Sequence, residues 1–295
     1  MRSQGLTRPD FLVIGAQKAG TSWLWQMLEQ HPDADLPAKK EIHFFGGVEN
    51  YRKGKEWYYN HFKEINPSKI TGEASTSYFY DHIPYWYNPS RSLEHDRSLP
   101  TIPELIMNEL PDAKIILILR DPVRRAVSAY KHLTRHAMVS PRLGLKQTAL
   151  NHPKTRILEY GLYAKYLTAW KALVPPDRMR IFVFEEDVRK SPENTVREIY
   201  EFLALDSGFK PQGLSEIVHK SWTWTRIFIH YYSPKPLRRL IKSRFGNVLD
   251  SVHLFPPTRI SRDDLDFLHT VYSPQKRELE ALLERKLDCW NHGSS

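Results

Sequence analysis

Compact apolar runs recur along the chain, each bounded by polar or turn residues, and most are followed by a longer amphipathic stretch. Phe11 to Ala16, Lys114 to Leu119 and Met179 to Phe184 read as buried strands, two of them rich in Ile or Val, and a weaker fourth covers Lys69 to Ala74. Helical periodicity follows over Thr21 to Gln30, Val123 to His132, Thr155 to Leu173 and Ser191 to Leu203. Strands alternating with helices of this length predict an α/β fold, a parallel sheet with helices on both faces. Ligands of such sheets gather at the carboxyl ends of the strands, so the chemistry is sought there.

Two stretches lack this rhythm. Residues from about Met138 to Pro153 are basic and loop-like, and Gly208 to Pro257 mixes Trp222, Trp224, Tyr231 and Tyr232 with Lys and Arg. Flat rings beside cations stack on sugars or aryl groups, and they equally pack a lid against a core. Neither stretch has the Gly/Pro content of a linker. The expectation is therefore one domain over 1–295, with a strand-bearing core near 10–205, an aromatic and basic region near 206–260 and a closing helix near 261–287. Ser261 reads as the N-cap of that helix, Asp263 and Asp264 fall in its first turn, and Pro274 is a point where it would break.

Composition narrows the chemistry. The chain has 295 residues, with 43 Lys plus Arg against 34 Asp plus Glu, a formal charge of +9 that predicts anionic company. No apolar run approaches the ~18 residues that span a bilayer. Cys289 is the single cysteine, which excludes an internal disulfide and a multi-thiolate zinc cluster and suits a reducing compartment. A polar decapeptide precedes Phe11-Leu12-Val13-Ile14, too short and too late for a secretory segment, so the chain is expected to be soluble and cytoplasmic.

Two motifs carry the candidate chemistry. The first is Gly15-Ala16-Gln17-Lys18-Ala19-Gly20-Thr21-Ser22-Trp23, between the first strand and first helix. Small residues let the backbone turn, amides at the helix start face outward, and Lys18, Thr21 and Ser22 add donors, which makes an anion cradle suited to phosphate. It is not a Walker A loop, since Lys18 comes two residues before Gly20 rather than directly after it. The second is Ile116-Leu117-Ile118-Leu119-Arg120-Asp121-Pro122, continuing through Ser128. The strand delivers Arg120 to the sheet's carboxyl edge, Asp121 and Pro122 open a helix, and Ser128 lies two turns along it, where an Arg fork and a hydroxyl can hold a second phosphate.

Together, Gln-Lys-Ala-Gly-Thr-Ser-Trp-Leu and Leu-Arg-Asp-Pro-Val-Arg-Arg-Ala-Val-Ser resemble the two cofactor motifs of sulfotransferases that use 3′-phosphoadenosine 5′-phosphosulfate. Between them, Lys39-Lys40-Glu41-Ile42-His43-Phe44-Phe45 is similar to a segment of heparan sulfate sulfotransferases, and Asn50 to Tyr58 and Gly72-Glu73-Ala74-Ser75-Thr76-Ser77-Tyr78-Phe79 resemble their N-sulfotransferase branch. The resemblance covers roughly residues 10 to 205 in the same order. It implies a P-loop-like sulfotransferase fold and a reaction that moves a sulfuryl group to a hydroxyl, or to an amine as second choice, of a glycan or small molecule, leaving 3′,5′-adenosine bisphosphate. It also implies a cofactor site from Lys18, Ala19, Gly20, Thr21, Ser22 and Trp23 for the 5′ end and from Arg120 and Ser128 for the 3′-phosphate. Glu41 matches the catalytic base, and Lys18 would bond the bridging oxygen as it gains charge. His43, two residues from Glu41 and on the same side of an extended segment, would orient the acceptor or tune Glu41. Glu73 and Ser75 are candidates for the acceptor side. A sulfuryl group carries less negative charge than a phosphoryl group, so no metal is demanded.

Two departures limit the transfer. Ala74 stands where the branch carries a second lysine, and the C-terminal Lys-Gly-Arg loop is missing, with Arg259 a loose replacement. The competing readings are an ATP-using phosphotransferase, which lacks the Walker lysine and a strand-end aspartate for magnesium, and a nucleic-acid binder, which would concentrate basic residues that here are spread along the chain.

Overall fold

The computed structural model describes residues 7–80, 100–215, 222–242, 245–252, 254 and 260–291. In chain order its elements are β1 (Phe11–Gly15), α1 (Thr21–Glu29), α2 (Val48–Tyr51), α3 (Gly54–Tyr59), β2 (Gly72–Ala74), α4 (Ile102–Glu109), β3 (Lys114–Leu119) and α5 (Pro122–Arg135). After these come α6 (Leu145–Asn151), α7 (Tyr163–Leu173), β4 (Met179–Val183), α8 (Pro192–Leu203), α9 (Trp224–Tyr232), α10 (Lys235–Lys242), α11 (Phe245–Asp250) and α12 (Arg262–Leu283). They fall into two compact units, one of residues 1–121, 163–216 and 275–295, the other of residues 122–162 and 217–274.

The first unit holds the sheet. Among the described residues four strands pair in parallel in the order β2-β1-β3-β4. β1 and β3 are buried along almost their whole length, from Phe11 to Ile14 and from Ile115 to Leu119, because an interior parallel strand meets helices on both faces. Each such Leu or Ile contributes roughly 1.5–3 kcal/mol of burial. The order has a consequence for function. From β1 the chain moves outward to β2, and from β3 it moves the other way to β4, so the carboxyl ends of β1 and β3 flank a topological switch point.

The outer edge of β2 is also covered. Ser75 N–H donates to Val13 O of β1 at 3.1 Å, so by alternation the Ala74 N–H points away from β1, where it donates to Lys40 O at 3.4 Å. The segment that contains Glu41 is thereby laid beside β2.

The second unit packs α5, α9 and the first part of α12 around Val123, Ala126, Tyr130, Leu145, Ile157, Trp224, Ile227, Leu268 and Tyr272. Trp224 is in this core, and Trp222 is half-buried with Arg226 4.0 Å and Arg135 4.5 Å from its ring centroid. Several sequence expectations change here. The helix expected over Thr155 to Leu173 begins only at Tyr163, because the carbonyl of Ile157 accepts from Arg125 and from Tyr272 Oη (3.1 Å), and that of Leu158 from Tyr272 Oη (3.0 Å). The stretch expected to be a loop near 138–153 contains α6, whose Lys146 N–H is capped by Asp264 Oδ1 at 2.8 Å. The region 208–257 carries α9, α10 and α11. Ser261 does cap α12, with Asp264 N–H on its Oγ at 3.0 Å, but the helix runs through Pro274 without ending. No helix among the described residues is long and apolar enough to cross a membrane.

Candidate active site

After β1 the chain turns through residues 16–20. Lys18 (φ +67°) and Gly20 (φ +99°) are both left-handed, and a Cβ on Gly20 would lie 2.8 Å from the Phe184 ring, so only glycine fits there. α1 starts with no side-chain cap and no acid in its first turn, which leaves its first amides and the positive end of its dipole to an anion. Lys18 and Ser22 are half-buried. The side chains of Ala19, Thr21 and Trp23 are buried, and Trp23 Nε1 donates to Leu214 O at 2.9 Å, so these residues offer a ligand their backbone.

Arg120 follows β3 at the same edge. Its Nη1 donates to Lys18 O at 3.0 Å, and its guanidinium stands 5.0 Å from the Phe184 ring centroid with Nε 3.8 Å from Glu185 Oε1. Glu185 is buried at the end of β4, its other oxygen accepting from Asp121 N (3.2 Å) and Trp290 Nε1 (3.0 Å). The two motifs that are a hundred residues apart in sequence thus meet through one hydrogen bond. Ser128 is half-buried on α5 in the second unit, and Arg259 lies outside the described residues.

Glu41 sits beside β2 and keeps 35% of its side chain exposed. Lys40 Nζ lies 3.1 Å from Oε1 and His43 Nε2 3.0 Å from Oε2. Burial pushes the carboxyl up, but the hydrogen bond from His43, the charge of Lys40 and the charge of His43 outweigh it and hold it down at about 2. Glu41 is therefore an anion across the neutral range. The expected Glu41–His43 meeting occurs, by a different route from the one expected. His43 is left-handed (φ +55°) rather than extended, with its N–H on Ser75 Oγ (3.0 Å) and Nδ1 hydrogen-bonded with Ser77 Oγ (2.8 Å). Asn50 Nδ2, from α2, donates to Ile42 O at 2.9 Å and steadies the turn from behind.

Glu73, in β2, is wholly buried. Burial drives its carboxyl up to about 8 against the stabilising hydroxyls of Tyr78 and Ser75, and the nearby charge of Glu41 adds to the rise. Glu73 and Ser75 both lack exposed surface; Ser75 supports the His43 backbone, and Glu73 keeps its proton at neutral pH. Sequence reasoning missed three residues. Lys40, in a Lys-Lys-Glu run, resembles a solvated charge. Ser77 shared a period-two spacing with Ser75, a signal that both face one side of an extended segment, and Glu185 gave no local signal. Among the described residues no group of three His, Cys, Asp or Glu side chains is disposed to hold a metal ion.

A family model described as the sulfotransferase domain matches residues 8–224. The bifunctional heparan sulfate N-deacetylase/N-sulfotransferase 3 of Homo sapiens is 30% identical over 296 residues, covering 94% of this chain and 30% of its own length. The heparan sulfate glucosamine 3-O-sulfotransferase 5 of Mus musculus is 30% identical over 182 residues, covering 59% and 47%. The chain spans about a fifth to a half of the length of the curated relatives it matches. The crystal structure of a sulfotransferase from Alicyclobacillus acidocaldarius is similar with a TM-score of 0.67 at 25% identity, covering 97% of this chain and all of that one.

Proposed function

Since the chain belongs to the sulfotransferase domain family, we propose that it moves a sulfuryl group from 3′-phosphoadenosine 5′-phosphosulfate to a hydroxyl of a glycan or small-molecule acceptor, with an amine as the second choice. The observation that carries the reading is the meeting of Lys18 and Arg120 across the switch point, 3.0 Å apart from guanidinium to carbonyl, with an ionised Glu41 on the β2 side of the same edge. The residues present fit the donor: an uncapped helix start, an ammonium and a hydroxyl at one end and a guanidinium at the other match an anion charged at both ends. Bound there, the donor supplies an activated sulfuryl group and leaves as 3′,5′-adenosine bisphosphate.

The chain's residues then have distinct tasks. Lys18, Ser22 and the first amides of α1 stabilise negative charge as it grows on the departing phosphate, and being fixed beforehand they need no reorganisation. Arg120, backed by Glu185 and Phe184, holds the distant phosphate. Glu41 accepts the acceptor's proton, and His43, locked by Ser75 and Ser77, fixes the direction of the carboxylate. Heparan sulfate appears in the names of the relatives, and an anionic glycan suits the +9 charge as an acceptor.

A thermal-shift comparison tests the donor. Saturating 3′,5′-adenosine bisphosphate raises the melting temperature, whereas ATP with magnesium does little. Preferential stabilisation by ATP and magnesium overturns the reading. An acceptor screen with labelled donor, read by mass spectrometry, then identifies what is sulfated.

A further inference from the structure

Lys40 stands where the two halves of the candidate site meet. Its carbonyl is anchored by the Ala74 amide, and its ammonium, 22% exposed, donates to Ser22 Oγ in the first turn of α1 (3.2 Å) and to Glu41 Oε1 (3.1 Å). An ammonium has three donors and no acceptor, so one group serves the anion cradle and the base together. The charged groups acting on Glu41 are Lys40 and His43 from its own segment; Glu73, in β2, keeps its proton at neutral pH, and α1 contributes the Ser22 hydroxyl. Of these, Lys40 is the one whose contacts reach both sides.

We propose that Lys40 is a positioning residue that couples the filling of the anion cradle to the freedom of Glu41 to take a proton. The proposal rests on the donor reading above. A phosphate seated beside Ser22 offers the ammonium a charge-assisted bond in place of one to a neutral hydroxyl, and so draws it from Glu41. Without an anion, the same ammonium helps to hold Glu41 ionised and weakly basic, in keeping with its low value of about 2. With one, the carboxylate recovers basicity at the stage when an acceptor proton must be removed. Coupling of this kind is reciprocal: if a phosphate competes with Glu41 for Lys40, removing the charge of Glu41 frees Lys40 and tightens phosphate binding.

The test is a double-mutant cycle read by calorimetry of 3′,5′-adenosine bisphosphate binding, with no turnover involved. Glu41→Gln is expected to tighten binding about fivefold in the wild-type background, the lower end of measured couplings, and by less than about twofold in the Lys40→Met background. Lys40→Arg keeps the charge and restores the gain. An equal gain in both backgrounds means that plain repulsion between Glu41 and the phosphate is at work, and it overturns the proposal, as does no gain in the wild type. Failure of the wild-type chain to bind the bisphosphate at all removes the donor reading itself, an outcome distinct from binding without coupling.

Discussion

At the scale of single residues the site is a contest between burial and neighbouring charge, and its two carboxylates end on opposite sides. Glu41 is held at about 2 by His43 and Lys40, whereas burial drives Glu73 to about 8. One is ionised at neutral pH, the other keeps its proton there. Replacing Glu41 with Gln is expected to lower turnover about 10²–10⁴-fold, the usual span for a general base, while bisphosphate binding persists. Single-turnover rates and calorimetry on the same preparation check both halves. Turnover within a few-fold of wild type would falsify the assignment of the base. Lys18, Glu41, His43 and Arg120 were legible in the sequence because their signals are local: a small-residue turn, a run of four residues, a strand that ends on an arginine. Lys40 and Glu185 were not, because a lysine in a charged run or a glutamate after a strand acquires meaning only from partners tens of residues away.

At the scale of elements, the start of α1 depends on a glycine that answers to two constraints. Gly20 has φ +99°, and its missing Cβ makes room for Phe184, the ring on which Arg120 rests. Gly20→Ala is expected to destabilise the fold by about 1–3 kcal/mol and to weaken bisphosphate binding, since the α1 amides and Arg120 shift together. Thermal melts and calorimetry measure the two effects, and a variant unchanged in both would show that the turn is more tolerant than this geometry allows. The strands were readable from their apolar runs because interior parallel strands advertise themselves. The interruption before α7 and the appearance of α6 were not, because both are decided by side chains from elsewhere: Tyr272 and Arg125 take the carbonyl of Ile157, Tyr272 that of Leu158, and Asp264 supplies the cap that α6 lacks. Local propensity is overruled where a distant group satisfies the backbone better.

For the whole molecule, the buried Glu73 predicts a stability that depends on pH. A carboxyl whose folded value of about 8 lies above its ordinary 4.5 binds a proton on folding between the two, so its contribution is intact below 4.5 and is lost as pH rises through 8. Glu41 has the opposite sign, its contribution being present above 4.5 and lost as pH falls toward 2. Glu73→Gln is expected to flatten the decline of melting temperature between about pH 5 and 8, and identical slopes in the two proteins would contradict the burial cost. The chain passes four times between its two units, at 121–122, 162–163, 216–217 and 274–275, a division that composition did not reveal because no linker-like stretch marks it. Across the rim of the sheet, the order β1-β3-β4 sets Lys18, Arg120 and Glu185 in a row past the strand ends, with the Glu41 segment laid beside β2 at the near end. The proton-handling machinery lies off the β2 end of that row and the guanidinium's support off the β4 end. On the proposed reading, substitutions on the β2 flank that spare Lys40 change which acceptor proton is taken and leave Lys18, Arg120 and the Glu185 support of that arginine untouched.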